Sequence, residues 1–406
     1  MSNFSKLFET IFSNVIYSHV INYIVPQQHG FVKGKSTTTN LYEFTQFVSS
    51  ALDNNFQVDV IYTDLTKAFD RVNHCVLLKK LEMFGFCNDL LLLLRSMIIG
   101  RKQYVEYGGC KSFEIDVNSG VAQGSNLGPL LFTIFFNDVV TNLQTKSFIY
   151  ADDLKIVNIV KSVHDCLKLQ SSLDSFITWC HNNKFDVNID KFKIMRITRK
   201  VDKLNFYYNI NGLPLQVCNE FKDLGVIFDS ALSFVPHIEH IVNSSLKNLG
   251  FIFRNGADFK DIFSFKLLFY ALVRSKLEYC CVVWAPHYKF YINLIENVLR
   301  KFCKFIYFKM YGSYPPQHCA SEALYNIVDE CFLYARRNVA CVTFMQKLIS
   351  GKIFCPSILQ NIQFICPRVN CRTPTTFYYQ VPSTFHHFNS PLMRCLRLCN
   401  CLINPK

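Results

Sequence analysis

The chain has 406 residues, half of them hydrophobic, including 39 Phe, and a formal net charge of +13. This composition excludes a disordered chain, and the length predicts about two domains. The basic excess fits a polyanionic partner, either nucleic acid or an anionic membrane surface, although charge alone fits a merely solvated surface equally well.

The apolar segments do not predict a membrane protein or a secreted one. The densest apolar run, residues 127–136, is shorter than the roughly 18 residues of a membrane span and contains Gly128 and Pro129. Polar residues interrupt the N-terminal apolar segment, so we expect no signal peptide and an intracellular protein, in the nucleus or the cytoplasm. The 18 cysteines should then be reduced, and because their spacing contains no Cys-x-x-Cys pair, we predict no structural zinc.

The first half of the chain mixes predicted helices with short strands. Periodicity predicts helices at residues 4–25, from about 36, and at 77–83, 89–98 and 165–180. β-rich runs predict strands at residues 58–65, 104–107, 113–117, 148–151 and 154–157, and a helix follows the Gly124-Ser125 turn. Gly108-Gly109 and Asn211-Gly212 indicate hairpins.

From about residue 230 the pattern becomes helical, with predicted helices at residues 265–277 and 292–308. We therefore predict an α+β fold with two domains, residues 1–228 and 229–406. Basic residues cluster on the second of these helices, interleaved with aromatic ones: Arg300, Lys301, Lys304, Phe302, Phe305 and Tyr307.

Three acids are candidates for chemistry. Asp64 ends a predicted strand, and Asp152-Asp153 lies between two others. Carboxylates that converge from separate strands suit two Mg²⁺ ions about 4 Å apart, the common arrangement for phosphoryl transfer. A lone Asp at a strand end is more often a turn residue, however, and Asp-Asp pairs occur by chance, so the residues alone leave both interpretations open.

Four segments in order strengthen the first interpretation. They are "QQHGFVKGKSTTTN" (27–40), "YTDLTKAFDRVNH" (62–74), "SGVAQGSNLGPLLFTIFFND" (119–138) and "YADD" (150–153). Together they resemble the boxes of reverse transcriptases, and most closely those of non-LTR retrotransposons of the LINE type, the jockey-like group. "NIDK" (188–191), "FKDLGVIFD" (221–229) and "LVRSKLEYCCVVWAP" (272–286) extend the resemblance over nearly the whole chain.

The resemblance implies a right-hand polymerase, with fingers, an antiparallel palm sheet with helices, and a helical thumb. It implies an RNA-directed DNA polymerase that adds deoxynucleotides to a primer 3′-hydroxyl on an RNA template with two Mg²⁺ ions. The expected partners are an RNA template, a DNA or RNA primer and deoxynucleoside triphosphates, with no membrane partner. Relatives carry an upstream endonuclease, so we expect a truncated copy that lacks it.

The resemblance also assigns roles to residues. Asp64 and Asp152 would bridge both metals, Asp153 would support the site, and the Leu65 carbonyl would be a further ligand. Phe69 corresponds to the aromatic beneath the incoming sugar, although an ordinary core Phe fits it as well. The remaining nucleotide-binding candidates are Gln123, Gly124 and Lys191, the last as a proton donor to pyrophosphate or simply a solvated amine.

Nucleic-acid contacts are expected from five basic residues: Lys33 and Lys35 in the fingers, and Arg300, Lys301 and Lys304. A solvated helix face explains the last three equally well. The chain departs from the family at Val32, where Arg is usual, at Ala122, where Pro is usual, and at Phe192, where Thr or Cys is usual. A catalytically decayed remnant that only folds and binds RNA is therefore the alternative, whereas a group II intron-type polymerase fits less well.

Overall fold

The computed structural model describes residues 3–256, 258–365, 376–382 and 384–403. The chain forms two compact units. The first comprises Met1–Asn40, Phe56–Arg196 and Lys200–Cys218, and the second Leu41–Asn55, Ile197–Arg199 and Asn219–Lys406. The predicted division at residue 228, between the fingers and palm and a helical thumb, stays a prediction.

Helices and short strands alternate through residue 217. The helices are α1 (Asn3–Val20), α2 (Thr37–Asp53), α3 (His74–Met83), α4 (Asn88–Ile98), α5 (Gly128–Phe136) and α6 (Val163–Asn182). The strands are β1 (Gln57–Tyr62), β2 (Lys102–Gln103), β3 (Glu106–Tyr107), β4 (Cys110–Lys111), β5 (Ile115–Asp116), β6 (Lys146–Tyr150), β7 (Asp153–Val160), β8 (Lys193–Ile197), β9 (Asn209–Ile210), β10 (Leu213–Pro214) and β11 (Gln216–Val217).

A five-stranded sheet in the order β11-β8-β1-β7-β6 is the frame of the first unit. β7 pairs antiparallel with both β1 and β6, whereas β11 pairs parallel with β8. Every residue of α5 except Pro129 is buried, and α6 contributes buried Leu169, Leu173 and Phe176 to the same core. The predicted α+β fold is confirmed.

The second unit is mainly helical. Its strands are β12 (Glu220–Asp223), β13 (Val226–Asp229), β14 (Gln363–Phe364) and β15 (Phe377–Tyr378). Its helices are α7 (Val235–Asn255), α8 (Ile262–Phe269), α9 (Ser275–Glu278), α10 (Cys281–Trp284), α11 (Lys289–Tyr311), α12 (Ser321–Val328), α13 (Leu333–Ile349), α14 (Pro356–Leu359), α15 (Phe385–Phe388) and α16 (Pro391–Ile403). Within the described residues, none of the chain's helices combines the length and the apolarity needed to cross a bilayer.

Two local predictions differ from the structure, and a third agrees with it. The region 102–116 forms four two-residue strands in two small ladders, because its ends pair separately from the Gly108-Gly109 hairpin. The helix predicted after the Gly124-Ser125 turn is present at Gly128–Phe136, with Pro129 in its first turn. The predicted helix 265–277 is interrupted by a π-helical turn over Tyr270–Arg274.

Candidate active site

The pairing of β1 with β7 brings the candidate acids together. Tyr62 pairs with Lys155 at the end of this ladder, so Asp64 follows β1 by two residues at the same end of the sheet where Asp153 begins β7. Just before Asp64, the Thr63 N–H and hydroxyl both donate to the Leu154 carbonyl, at 3.1 and 3.0 Å. Residues that are distant in the sequence therefore meet at one end of the sheet.

The hairpin between β6 and β7 presents the central acid. Tyr150 pairs with Asp153, so the loop contains just Ala151 and Asp152. The sequence predicts both acids in the turn, whereas Asp153 already begins β7. Ala151 has a φ of 56°, a left-handed conformation that a non-glycine residue adopts only when its surroundings hold it there.

Gln28 supplies that support. Its side-chain oxygen accepts from the Ala151 N–H at 2.9 Å and from the Gly30 N–H at 2.7 Å, and its side-chain nitrogen donates to the Ala151 carbonyl at 3.2 Å. A Cβ on Gly30 would lie 2.2 Å from the Ala151 nitrogen, so this residue must be glycine. Sequence reasoning missed both positioning roles, although both residues lie in the segment 27–40.

The charged groups of the candidate site include two acids, Asp64 and Asp152, and the neighbouring Lys191. Burial raises the pKa of the Asp152 carboxyl above its ordinary value, and the negative charge of Asp64 raises it further. The Lys191 ammonium lies 3.3 Å from each carboxylate oxygen of Asp64. This contact joins two of the predicted site residues, whose side chains are 40% and 50% exposed, and the role of Lys191 stays a prediction.

The donor set fits a hard divalent cation. Burial is the main cause of the raised pKa of Asp152 and the negative charge of Asp64 is a smaller one, and a bound cation would stabilise both carboxylates in their charged form. Across the described part of the chain, no group of three or more His, Cys, Asp and Glu side chains is arranged to hold a metal ion. Leu65 is buried and bridges to Val187, and its carbonyl stays a predicted ligand.

Phe69 lies between the core and the site. Its ring stacks on buried Phe132 with centroids 4.2 Å apart, and the edge contact with the exposed ring of Phe31 measures 5.9 Å. Phe69 is only partly buried, so one part of the ring packs in the core while another part stays accessible. A role against the sugar and a packing role are thus compatible.

Gln123 and Gly124 lie on an exposed loop next to this aromatic group. The Gln123 amide donates to the Asp70 carboxylate at 2.8 Å, and the Val121 N–H of the same loop donates to the Phe69 carbonyl at 2.9 Å. Gly124 has a φ of 75°, with open space where a side chain would be. Asp70, which sequence reasoning did not single out, therefore anchors Gln123.

The two basic fingers residues have different surroundings. Lys33 is exposed, and its ammonium lies 4.9 Å from the centre of the Tyr17 ring and 3.4 Å from the Asn14 side-chain oxygen. Lys35 donates to the backbone carbonyls of Pro26, at 2.5 Å, and Gln28, at 3.0 Å. Lys33 is thus the more available of the two for a phosphate, and both contacts stay predictions.

The three basic residues of α11 lie in the second unit. Arg300, Lys301 and Lys304 line one side of a groove of about 300 Å³ between α7 and α11. Lys301 is exposed, whereas Arg300 is half-buried and donates to the Cys319 carbonyl at 3.1 Å. The interleaved aromatic rings pack internally, since Phe302 stacks on Phe269 at 4.1 Å and Phe305 on Phe253 at 4.0 Å. Phe302 is therefore a core residue, and half-buried Phe305 packs within the same unit.

The departures from the family pattern are accommodated by packing. Val32 and Phe192 are buried, at 7% and 0% exposure, and Phe192 packs 6.2 Å from Phe176. The Ala122 carbonyl accepts from the Ser125 N–H at 3.3 Å and would be 2.7 Å from a Cβ on Gly128. The loop thus keeps a tight turn without Pro.

The chain is similar to polymerases of mobile elements in sequence and, with a low structural score, to a telomerase. The chain is 30% identical over 255 residues to the RNA-directed DNA polymerase from mobile element jockey of Drosophila funebris, covering 60% of this chain and 28% of that protein. It is 27% identical over 322 residues to a probable RNA-directed DNA polymerase from transposon X-element of Drosophila melanogaster, covering 75% and 35%. A structure of apo telomerase from Candida tropicalis has a TM-score of 0.43 and 11% identity, covering 76% of this chain and 50% of that one.

These relatives confirm the predicted resemblance to polymerases of jockey-type non-LTR elements. The chain spans about a third or less of the length of the curated relatives it matches. The family model described as "Reverse transcriptase (RNA-dependent DNA polymerase)" matches residues 1–253, more than half of the chain. The chain therefore belongs to the reverse transcriptase family.

Proposed function

We propose that this chain is an RNA-directed DNA polymerase that extends a primer 3′-hydroxyl with deoxynucleotides on an RNA template. The observation that carries the proposal is the meeting of Asp64 with the Asp152-Asp153 hairpin at one end of the sheet. Carboxylates on rigid strands that open to solvent are what two-metal phosphoryl transfer requires.

Magnesium is the cation that the proposal assigns to Asp64 and Asp152, with Asp153 and the Leu65 carbonyl as further candidate ligands. When bound, Mg²⁺ would lower the barrier by stabilising charge on the attacking and leaving oxygens. The rigid hairpin contributes by holding Asp152 at a fixed position opposite Asp64, which keeps the carboxylates in place without reorganisation.

The other residues of the site bind and orient the nucleotide in this proposal. Lys191, now paired with Asp64, is positioned to contact a triphosphate and to donate a proton to pyrophosphate. Phe69 offers a ring beneath the sugar, and the loop with Gln123 and Gly124 allows close approach of the base pair.

Primer extension on an RNA template with a DNA primer, deoxynucleotides and Mg²⁺ tests the proposal. Asp152→Asn should abolish extension while RNA binding, followed by fluorescence anisotropy, stays largely unchanged. Asp202→Asn, which alters an exposed acid elsewhere in the first unit, is the matched control and should retain full activity. A folded wild-type chain that binds RNA and extends no primer would instead identify a catalytically decayed remnant.

A further inference from the structure

The second unit contains a cavity that has no part in the site described above. Its volume is about 380 Å³, in the range of pockets that hold small ligands or parts of larger ones. Its walls come from the part of α2 with Thr45 and Ser49, from Arg199, from the turn before α7, from α10 with the start of α11, and from α15 with α16.

The interior of the cavity offers polar atoms without partners. Thr45 and Ser49 are each 1% exposed, and neither hydroxyl has a hydrogen-bond partner among the described residues. Buried polar groups are rarely left in this state unless a ligand or water meets them. Two neighbouring hydroxyls on one helix therefore require a polar partner, either water or a ligand.

His386 adds a defined acceptor to these hydroxyls. Its Nε2 lies 2.8 Å from the Leu232 carbonyl, which can only accept, so Nε2 carries the proton. Burial lowers the pKa of this imidazole to about 4, so the ring is neutral near pH 7. Its Nδ1 lone pair is buried and finds no partner in the described part of the chain.

Aromatic rings surround the mouth. Tyr288 and Phe385 are 55% and 61% exposed, and their ring centres are 6.1 Å apart. His287 lies between them, 4.1 Å from Tyr288 and 5.2 Å from Phe385. Exposed rings grouped at the entrance of a polar cavity suit a planar aromatic ligand that stacks on them.

The charge of the lining favours an anionic ligand. Two arginines contribute to it, and no Asp or Glu is among the described lining residues. Arg394 is committed to the fold, because its guanidinium donates to the carbonyls of Val282 and Ala285 at 2.6 and 3.0 Å. Arg199 is exposed, and its bond to the Ala231 carbonyl is long, at 3.5 Å, so it is available for a phosphate.

We propose that this cavity binds one unpaired nucleotide of a single-stranded nucleic acid. The rings of Tyr288 and Phe385 are tilted by 49° to each other, so the base stacks on one of them and contacts the edge of the other. Its polar edge meets Thr45, Ser49 and His386, and its phosphate lies near Arg199. Stacking on aromatic side chains combined with hydrogen bonds to the base edge is how proteins recognise unpaired bases. The choice of nucleic acid as the ligand rests on the proposed function, whereas the cavity uses no residue of the polymerase site.

A short fluorescent strand tests the proposal on the full chain. The polymerase cleft is first saturated with a primer–template duplex, and a five-nucleotide RNA with a central 2-aminopurine is then titrated. Stacking should quench the 2-aminopurine emission on binding. Phe385→Ala and Tyr288→Ala should each weaken binding by about 5- to 100-fold, and Arg199→Gln should flatten the log–log salt dependence by about 0.7. Because both rings are exposed, these variants should fold normally.

The control is Phe263→Ala, which removes an equally exposed ring, 64% exposed, from α8 of the same unit. The site is supported if Phe263→Ala keeps its binding while Phe385→Ala and Tyr288→Ala lose theirs. It is also supported if Asp152→Asn still quenches the 2-aminopurine emission. Competition with the matching DNA strand shows whether the cavity prefers RNA or DNA. Competition with adenosine monophosphate shows whether a free nucleotide is enough. Absent quenching, or equal loss in Phe263→Ala and Phe385→Ala, overturns the proposal whether or not the chain polymerises.

Discussion

The side-chain amide of Gln28 bonds to both the N–H and the carbonyl of Ala151, the residue that precedes the central acid of the site. These two hydrogen bonds hold Ala151 in a left-handed backbone conformation that alanine does not otherwise favour. We therefore expect Gln28→Ala to let Asp152 move and to lower the extension rate by on the order of 10- to 100-fold, because small displacements of reacting groups are costly. Single-turnover extension measures this effect.

Gln27→Ala is the control for this variant. Gln27 is adjacent, and its buried side-chain oxygen has no hydrogen-bond partner among the described residues. A positioning role also predicts that Gln28→Ala needs more Mg²⁺ for half-maximal rate, which a simple loss of folded protein would not cause. Equal rates and equal Mg²⁺ dependence in the two variants would contradict the role of Gln28.

Asp152 should reduce the stability of the metal-free protein at neutral pH. The pKa of the Asp152 carboxyl is higher in the folded protein than in the unfolded chain. The protonated carboxyl therefore stabilises the fold at a pH below the unfolded pKa of about 4, and this stabilisation is lost as the pH rises through the folded pKa. Each unit of that shift corresponds to about 1.4 kcal/mol. Urea denaturation should therefore show Asp152→Asn to be more stable than wild type at pH 7 without divalent ions.

Asp64 should contribute to that shift through its charge. In Asp64→Asn the pKa of Asp152, followed by carbon-detected NMR, should fall toward its ordinary value, although burial will keep part of the increase. The stability gain from Asp152→Asn should shrink accordingly in the double variant. An Asp152 pKa that does not change on removing the Asp64 charge would place the two carboxylates too far apart to share a metal.

Phe69 should select deoxyribonucleotides, because a ring beneath the sugar leaves no room for a 2′-hydroxyl. Phe69→Val should raise ribonucleotide incorporation relative to deoxynucleotide incorporation. It should also destabilise the protein by about 1–3 kcal/mol, since the stacking on Phe132 is lost. Incorporation efficiencies measured at matched concentrations of folded protein separate the two effects.

Phe86→Val is a suitable comparison, because Phe86 is 9% exposed and belongs to the same core without contacting Phe69 in any ring pair. It should destabilise the protein similarly and leave the ratio of ribonucleotide to deoxynucleotide incorporation unchanged. If Phe69→Val also left that ratio unchanged, Phe69 would be a core residue alone.

The basic residues of α11 should contribute unequally to RNA binding. Replacing Arg300, Lys301 and Lys304 by Gln should flatten the log–log salt dependence of RNA affinity by about one to two units, because half-buried Arg300 is already bonded to a carbonyl. Replacing exposed Lys260, Lys347 and Lys352 removes the same charge from the same unit. Identical slopes in the two triple variants would indicate a solvated helix face.

Local patterns made much of the first unit predictable. The apolar run that became β1, the Asn211-Gly212 turn and the periodicity of α6 each depend on neighbours in the sequence, and all three appear as expected. The positions of Asp64 after β1 and of Asp152 between β6 and β7 were predictable because each acid follows or joins predicted strands. The contact between Lys191 and Asp64 could not, since the two residues are 127 positions apart and no local rule relates them.

Other features escaped prediction for similar physical reasons. Basic and aromatic residues alternate on α11 in the same way whether the rings face ligand or core, and only packing shows that Phe302 faces Phe269. Likewise the union of Leu41–Asn55 with Asn219–Lys406 in one unit depends on contacts between distant segments. The cavity beside Thr45 and Ser49 exists only because of that union.

The distances along the chain between the partners in the active site determine when it can form. The bonds that fix it join residues 91 positions apart for Thr63 and Leu154 and 123 for Gln28 and Ala151. Contacts this far apart in sequence cost chain entropy before they stabilise anything, so they form slowly and late in folding. During synthesis Asp64 leaves the ribosome well before the hairpin that completes the site. During that interval the sheet of the nascent chain is incomplete, and its unpaired strand edges are exposed to association with other chains.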